Sequence, residues 1–186
     1  MPSIECGGVE KNLFIIANYF ATKFNKVDLI SISKNYKYKF NKNLVFKTLK
    51  SNFWDKRSRR LKYFLALMIL IKDLISNKDQ IVFAFQANIY CIIICKILGK
   101  KIIVRSNSAP IGWSKNKIKK AIFRYLLNKA DRIIVNSIEF KKDLKKEFSV
   151  NAFCIYNPLN KKEILEKSKK IQKKNFKTKN LKILNV

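Results

Sequence analysis

Apolar residues along the chain fall into two alternating patterns. Segment 9 to 23 places Val9, Leu13, Ile16, Ala17 and Phe20 on one face at helical spacing. "KVDLISIS" (26 to 33) then alternates as a strand does, and "LVFKTL" (44 to 49) is a second short strand candidate. Residues 57 to 76 read as a long helix with a basic entry, "RSRR". From there the signals sharpen. "QIVFAF" (80 to 85), "KIIVR" (101 to 105), "DRIIVNS" (131 to 137) and "AFCIY" (152 to 156) are apolar runs of strand length. Helical patterns separate them at 88 to 98, 115 to 129 and 138 to 147, and a charged helix follows around 160 to 173. Gly99 supplies a natural stop for the first of these helices.

Strands apolar throughout and alternating with helices imply a parallel sheet covered on both faces. The expected fold is therefore α/β and doubly wound. Before Gly7 and Gly8 stand only a few residues, "MPSI" among them, so the first strand is expected to be truncated. Residues 1–173 read as one Rossmann-like domain, 174–180 as a polar linker, and "LKILNV" (181–186) as the first strand of a second domain.

Composition changes this picture in three places. Apolar residues make up 48% of the chain, which excludes a disordered protein. The 41 Lys plus Arg against 12 Asp plus Glu would attract polyanions, nucleotide phosphates or an anionic leaflet. Only six of those basic residues are Arg, however, and Lys, Asn, Ile and Phe are inflated together, as low-GC coding produces. There is no histidine, and Cys6, Cys91, Cys95 and Cys154 show no metal spacing. They read as free thiols of a reducing compartment, and zinc and Ser-His-Asp chemistry are excluded within the chain. The longest apolar runs fall short of the roughly 20 residues that span a bilayer. A cytoplasmic protein is expected.

In an open parallel sheet, ligands bind outside the carboxyl ends of the strands. The polar residues expected there are Gly7 and Gly8, then Gln86 and Asn88, then Arg105, Asn107 and Ser108, then Asn136 and Ser137, then Asn157. Each has a plain alternative. The glycines either permit a tight turn or let an anion approach exposed N–H groups. Ser137 or Asn136 can cap a helix, and Asn157-Pro158 can shape a turn. An Arg at the end of a buried strand needs a partner, either a ligand or a structural salt bridge.

"GGVEK" (7 to 11), "FAFQANIYCIIICKILGKKIIVRSNSAP" (83 to 110), "ADRIIVNSIEFKKDL" (130 to 144) and "IYNPLN" (155 to 160) follow in this order. Together they resemble the N-terminal, acceptor-side domain of family 4 glycosyltransferases of GT-B fold. The resemblance implies transfer of a sugar from a nucleotide-diphosphate sugar to a hydroxyl acceptor, in cell-surface polysaccharide or lipopolysaccharide synthesis. It implies no metal and no cofactor beyond the donor itself. Gly7 and Gly8 would lie against the donor diphosphate, and Gln86, Asn88, Arg105, Asn107, Ser137 and Asn157 would line the cleft. The paired glutamates of relatives belong to a second domain, so this chain is expected to be a fragment, inactive alone.

Helix 115 to 130 sets Ile118, Ala121, Ile122, Tyr125 and Leu126 on one face with basic residues around it. The reading adopted is a core-facing helix with a solvated Lys face; the alternative is peripheral contact with an anionic membrane. Rival functions are a non-catalytic subunit and a basic nucleic-acid-binding protein. The second rests on charge alone, and no specific nucleic acid is expected. A nicotinamide-dependent oxidoreductase fails for want of GxGxxG.

Overall fold

A computed structural model describes residues 1–4, 7–77, 79–108 and 116–170. The expected linker and final strand, with Cys6 and Trp113, lie outside the described residues. Helix α1 spans Gly8–Lys23, followed by strands β1 (Val27–Ile30) and β2 (Leu44–Lys47). Helix α2 (Arg59–Ser76) leads to β3 (Ile81–Ala84), α3 (Asn88–Ile97), β4 (Lys101–Ser106) and α4 (Lys117–Leu127). Strand β5 (Arg132–Val135), α5 (Ile138–Phe148), β6 (Phe153–Cys154) and α6 (Lys161–Lys170) complete the order.

All pairings are parallel, as apolar strands joined by helices require. The described strands form two hydrogen-bonded sheets, β1-β2 and β3-β4-β5-β6, where the sequence suggests a single one. Residues 1–4 touch the first of these without forming a strand. The Met1 amine donates to the Ile30 carbonyl at 2.9 Å and Ile32 N–H donates to the Pro2 carbonyl at 3.0 Å. Pro2 has no N–H to extend that ladder.

Side-chain alternation along β3 divides the core between two faces. Val82 and Ala84 join the cluster built from α2, α3, α4 and α5, centred on Ile92, Ile102, Val104, Val135, Leu144 and Phe148. Phe83 and Phe85 turn to the other cluster, with Ile4, Leu13 and Ala17 of α1, Leu29 and Phe40. Aromatic rings dominate there: Phe14 meets Phe40 edge-on at 5.0 Å and Phe20 meets Phe83 at 5.7 Å. Helices thus cover both faces, and the domain is Rossmann-like and doubly wound.

Two helix ends show how the chain is punctuated. Gly99 takes φ +64°, and the Lys100 N–H returns to the Cys95 carbonyl at 2.7 Å, closing α3 as expected. Ser137 Oγ accepts from the Phe140 N–H at 3.1 Å and starts α5. Cys91 and Cys95 are buried free thiols on α3, pushed up to about 11 and about 12 by burial. Neither is a nucleophile at neutral pH.

One expected face is turned the other way. Ile118, Ala121, Ile122 and Tyr125 of α4 are exposed, and the helix docks through Phe123 and Leu127 instead. Phe123 and Leu127, four residues apart, bring an aromatic and a leucine together against the sheet, and the Lys120–Glu147 ion pair to α5 fixes the same rotation.

Candidate functional site

Parallel strands deliver their carboxyl ends to one edge, where the helix N-termini also gather. At this edge a cavity of about 400 Å³ opens between the ends of β3 and β4 and the start of α3. Gln86, Asn88, Arg105 and Asn107 all line it, joined by Val9, Tyr63, Tyr90, Ser106 and Ser108. Five of the residues expected from the sequence, Ser108 included, are therefore brought together.

Hydrogen bonds hold these side chains against the strand ends. Asn88 Nδ2 donates to the Arg105 carbonyl at 3.0 Å, and Asn107 Nδ2 donates to the Phe85 carbonyl at 3.1 Å. The two amides lace β3 to β4 just past their last ladder bond. Each spends its NH₂ on the backbone and leaves its oxygen over. Neither Asn88 Oδ1 nor Asn107 Oδ1, both buried, has a partner. Gln86 accepts from the Tyr63 hydroxyl at 3.3 Å, which ties α2 to the same rim.

Arg105 is 1% exposed, at the end of β4. No carboxylate faces it among the described residues, so the structural salt bridge weighed from the sequence is not formed. Its Nη2 donates to Asn157 Oδ1 at 2.9 Å and to the Ile155 carbonyl at 3.3 Å, while Nε has no partner. Burial lowers the guanidinium pKa. A buried cation with only neutral partners is costly, and an anion or a ring of hydroxyl oxygens would relieve it. Asn157 acts here through Arg105 rather than on the cavity wall.

Gly7, Gly8 and Ser137 stand apart from the cavity. Ser137 is the cap of α5, the plain alternative named above. Gly7 precedes α1 and, lacking a side chain, supplies no cap to it, while the buried Glu10 of the first turn folds back over it. A Cβ on Gly8 would meet nothing within 4 Å, whereas one on Gly7 would lie 2.6 Å from Glu10 Oε2. Val9, one residue on, does reach the cavity. Among the described residues no group of three or more His, Cys, Asp or Glu comes together to hold a metal.

Among the contributors that escaped sequence reading, two stand out. Tyr63 lies inside what looks like an ordinary amphipathic helix. Ala87 adopts a left-handed conformation, φ 57° and ψ 30°, between Gln86 and Asn88. An L-residue there costs of order 1–2 kcal/mol, and such strain gathers at binding loops.

The fold and the edge-on cavity define a Rossmann-like α/β domain whose candidate ligand groups come from strand ends. The family model for Glycosyltransferase Family 4 matches residues 6–163, well over half of the chain, and the chain belongs to that family. No curated protein matches it.

Proposed function

We propose that this domain carries the acceptor side of a sugar-transfer site, working with a nucleotide-diphosphate sugar as donor and no metal. The hydroxyls of a sugar or lipid-linked acceptor would donate to Asn88 Oδ1 and Asn107 Oδ1, with Gln86 beside them. Arg105 Nε would meet an oxygen that carries or develops negative charge. The start of α1 at Gly7 and Gly8 would face the donor diphosphate, favoured by the positive end of the helix dipole. Cell-surface polysaccharide assembly on the cytoplasmic side, at the inner membrane face, is the setting this reading suggests.

One observation carries it. Three buried, partnerless polar atoms on Asn88, Arg105 and Asn107 belong to residues that line one cavity, in a chain of a glycosyltransferase family.

Binding rather than turnover is the direct test, because the reading gives this chain only one side of the site. Ligand-observed NMR with a panel of free sugars, nucleoside diphosphates and nucleotide-diphosphate sugars should find at least one ligand. Arg105→Met should weaken it at least tenfold, the cost of one charged hydrogen bond or more. The same variant should fold normally, since a buried cation exchanged for an apolar chain is often neutral. A panel without a single binder, or equal binding by Arg105→Met, overturns the reading.

A further inference from the structure

Strand β4 ends on a cation that the fold leaves without a counter-charge. Among the described residues Arg105 is the one buried basic residue. It stands level with Ile134 of β5, and its side chain passes that strand to reach the segment around β6. Elsewhere the fold supplies carboxylates to its partly buried ammonium groups. Lys47 has Asp28 and Asp73, Lys96 has Asp131, and Lys120 has Glu147. Arg105, more deeply buried than any of them, has only an amide oxygen and a peptide carbonyl.

Both of those partners are fixed in place. The Ile155 N–H donates to the Val135 carbonyl at 2.9 Å, which carries the β5-β6 pairing one residue past β6. Asn157 stands before Pro158, whose ring disfavours helical backbone at the preceding residue. A carboxylate in place of the Asn157 amide would accept the same hydrogen bond and neutralise the guanidinium. The amide therefore fixes the position of Arg105 and leaves its charge uncompensated.

That charge belongs to the cavity wall. Arg105 Nε is buried without a partner, and none of the described residues lining the cavity is acidic. A neutral hydroxyl meeting Nε would complete the hydrogen bond and leave the buried charge unanswered. An anionic oxygen would do both.

We propose that Asn157 is a positioning residue that reserves the Arg105 charge for the acceptor, so that the site takes an acceptor with an anionic oxygen of its own, on a phosphate or a carboxylate, in preference to a neutral sugar. This role rests on the sugar-transfer reading above and adds the acceptor's class to it. The donor diphosphate is the other source of such an oxygen, but Gly7 and Gly8, where that reading puts it, stand apart from the cavity.

Ligand-observed NMR tests the preference with glucose, galactose and mannose, each beside its 1-phosphate and its uronic acid, and with uridine diphosphate. In at least one series the anionic sugars should bind about tenfold more tightly than the neutral one. Arg105→Met should abolish that preference. Asn157→Asp should reduce it to about threefold or less and raise the melting temperature, because the buried cation gains its counter-charge. Asn157→Ala should lower the melting temperature yet keep the preference, because the charge remains. A purely structural Asn157 would instead leave the ratio of anionic to neutral binding unchanged in Asn157→Asp. That result, no preference in the parent chain, a preference surviving Arg105→Met, or binding by uridine diphosphate alone overturns the proposal. If Arg105→Met still weakens sugar binding, the sugar-transfer reading outlives it; if no ligand binds at all, both fall.

Discussion

Strands β3, β4 and β5 cross the protein with Ile102, Val104 and Val135 shut off from solvent, whereas the β1-β2 pair carries a carboxylate within β1 and an ammonium at the end of β2. Lys47 of β2 reaches Asp28 of β1 at 2.6 Å and also pairs with Asp73 of α2. The larger sheet is held by aliphatic packing on a continuous core. The smaller one is held by aromatic rings and an ion-paired clasp, and Asp28 Oδ1 within it has no partner. Dispersion and burial are spread over many contacts, while a clasp concentrates its contribution in a few atoms. The two regions should therefore fail in different ways.

The largest effect is expected in the aliphatic core. Phe148 is fully buried beneath the four-stranded sheet, and Phe148→Ala should cost about 3–5 kcal/mol in urea unfolding. Phe40, 9% exposed in the aromatic cluster, should cost about half as much when truncated, because the site is open to partial collapse and water. Equal losses would mean that the two regions are packed alike.

Next comes the clasp. Lys47→Met leaves Asp28 and Asp73 facing one another without their shared cation, an expected loss of about 1–3 kcal/mol. The counterpart in the larger region is the half-exposed Lys96–Asp131 pair, 2.7 Å apart. Lys96→Met there should cost no more than about 1 kcal/mol. A larger loss at Lys96 than at Lys47 would reverse the contrast.

That contrast also sets what could be read from the residues alone. Apolar runs such as "QIVFAF" and "KIIVR" specify buried parallel strands, and Gly99 specifies a helix end by its conformation. Arg105, Gln86, Asn88 and Asn107 were placed on one edge because strand ends in this topology have nowhere else to go. Three things depended on contacts between distant segments. The rotation of α4 follows from how Phe123 and Leu127 meet the sheet, and its composition offered a second apolar stripe of equal quality. The left-handed Ala87 has no glycine to announce it. The separation of β1-β2 from β3 to β6 reflects backbone partners near Pro2, which periodicity does not encode.

Ala87 offers a smaller and opposite effect on the larger region. Glycine adopts φ 57° freely, so Ala87→Gly should relieve the strain of an L-residue while adding chain entropy to the unfolded state. The balance is a stabilisation of up to about 1 kcal/mol, visible as a raised urea midpoint. A destabilised variant would show that the Ala87 methyl, on the cavity wall, contributes packing that outweighs the strain.

The smallest effects separate the regions along the pH axis. Burial alone would lower the Lys47 ammonium, but hydrogen bonds from it to Asp28 and Asp73 and their charges raise it above its usual value. Its contribution is thus complete below the unfolded pKa of about 10.4 and is lost as pH rises through the higher native value. Asp131 behaves in the reverse sense. Burial would raise its carboxyl, but the Lys96 ammonium and the Ile102 N–H, 2.7 Å away, hold it below the usual carboxylate range. Its contribution is complete above about pH 4 and is lost as pH falls through the depressed native value. In thermal melts, Lys47→Met should therefore flatten the alkaline limb and Asp131→Asn the acid limb. Each variant should leave the other limb as it is in the parent chain. If both variants change the same limb, the clasp of the small sheet and the pair beside the large one are coupled, and the division into two regions fails.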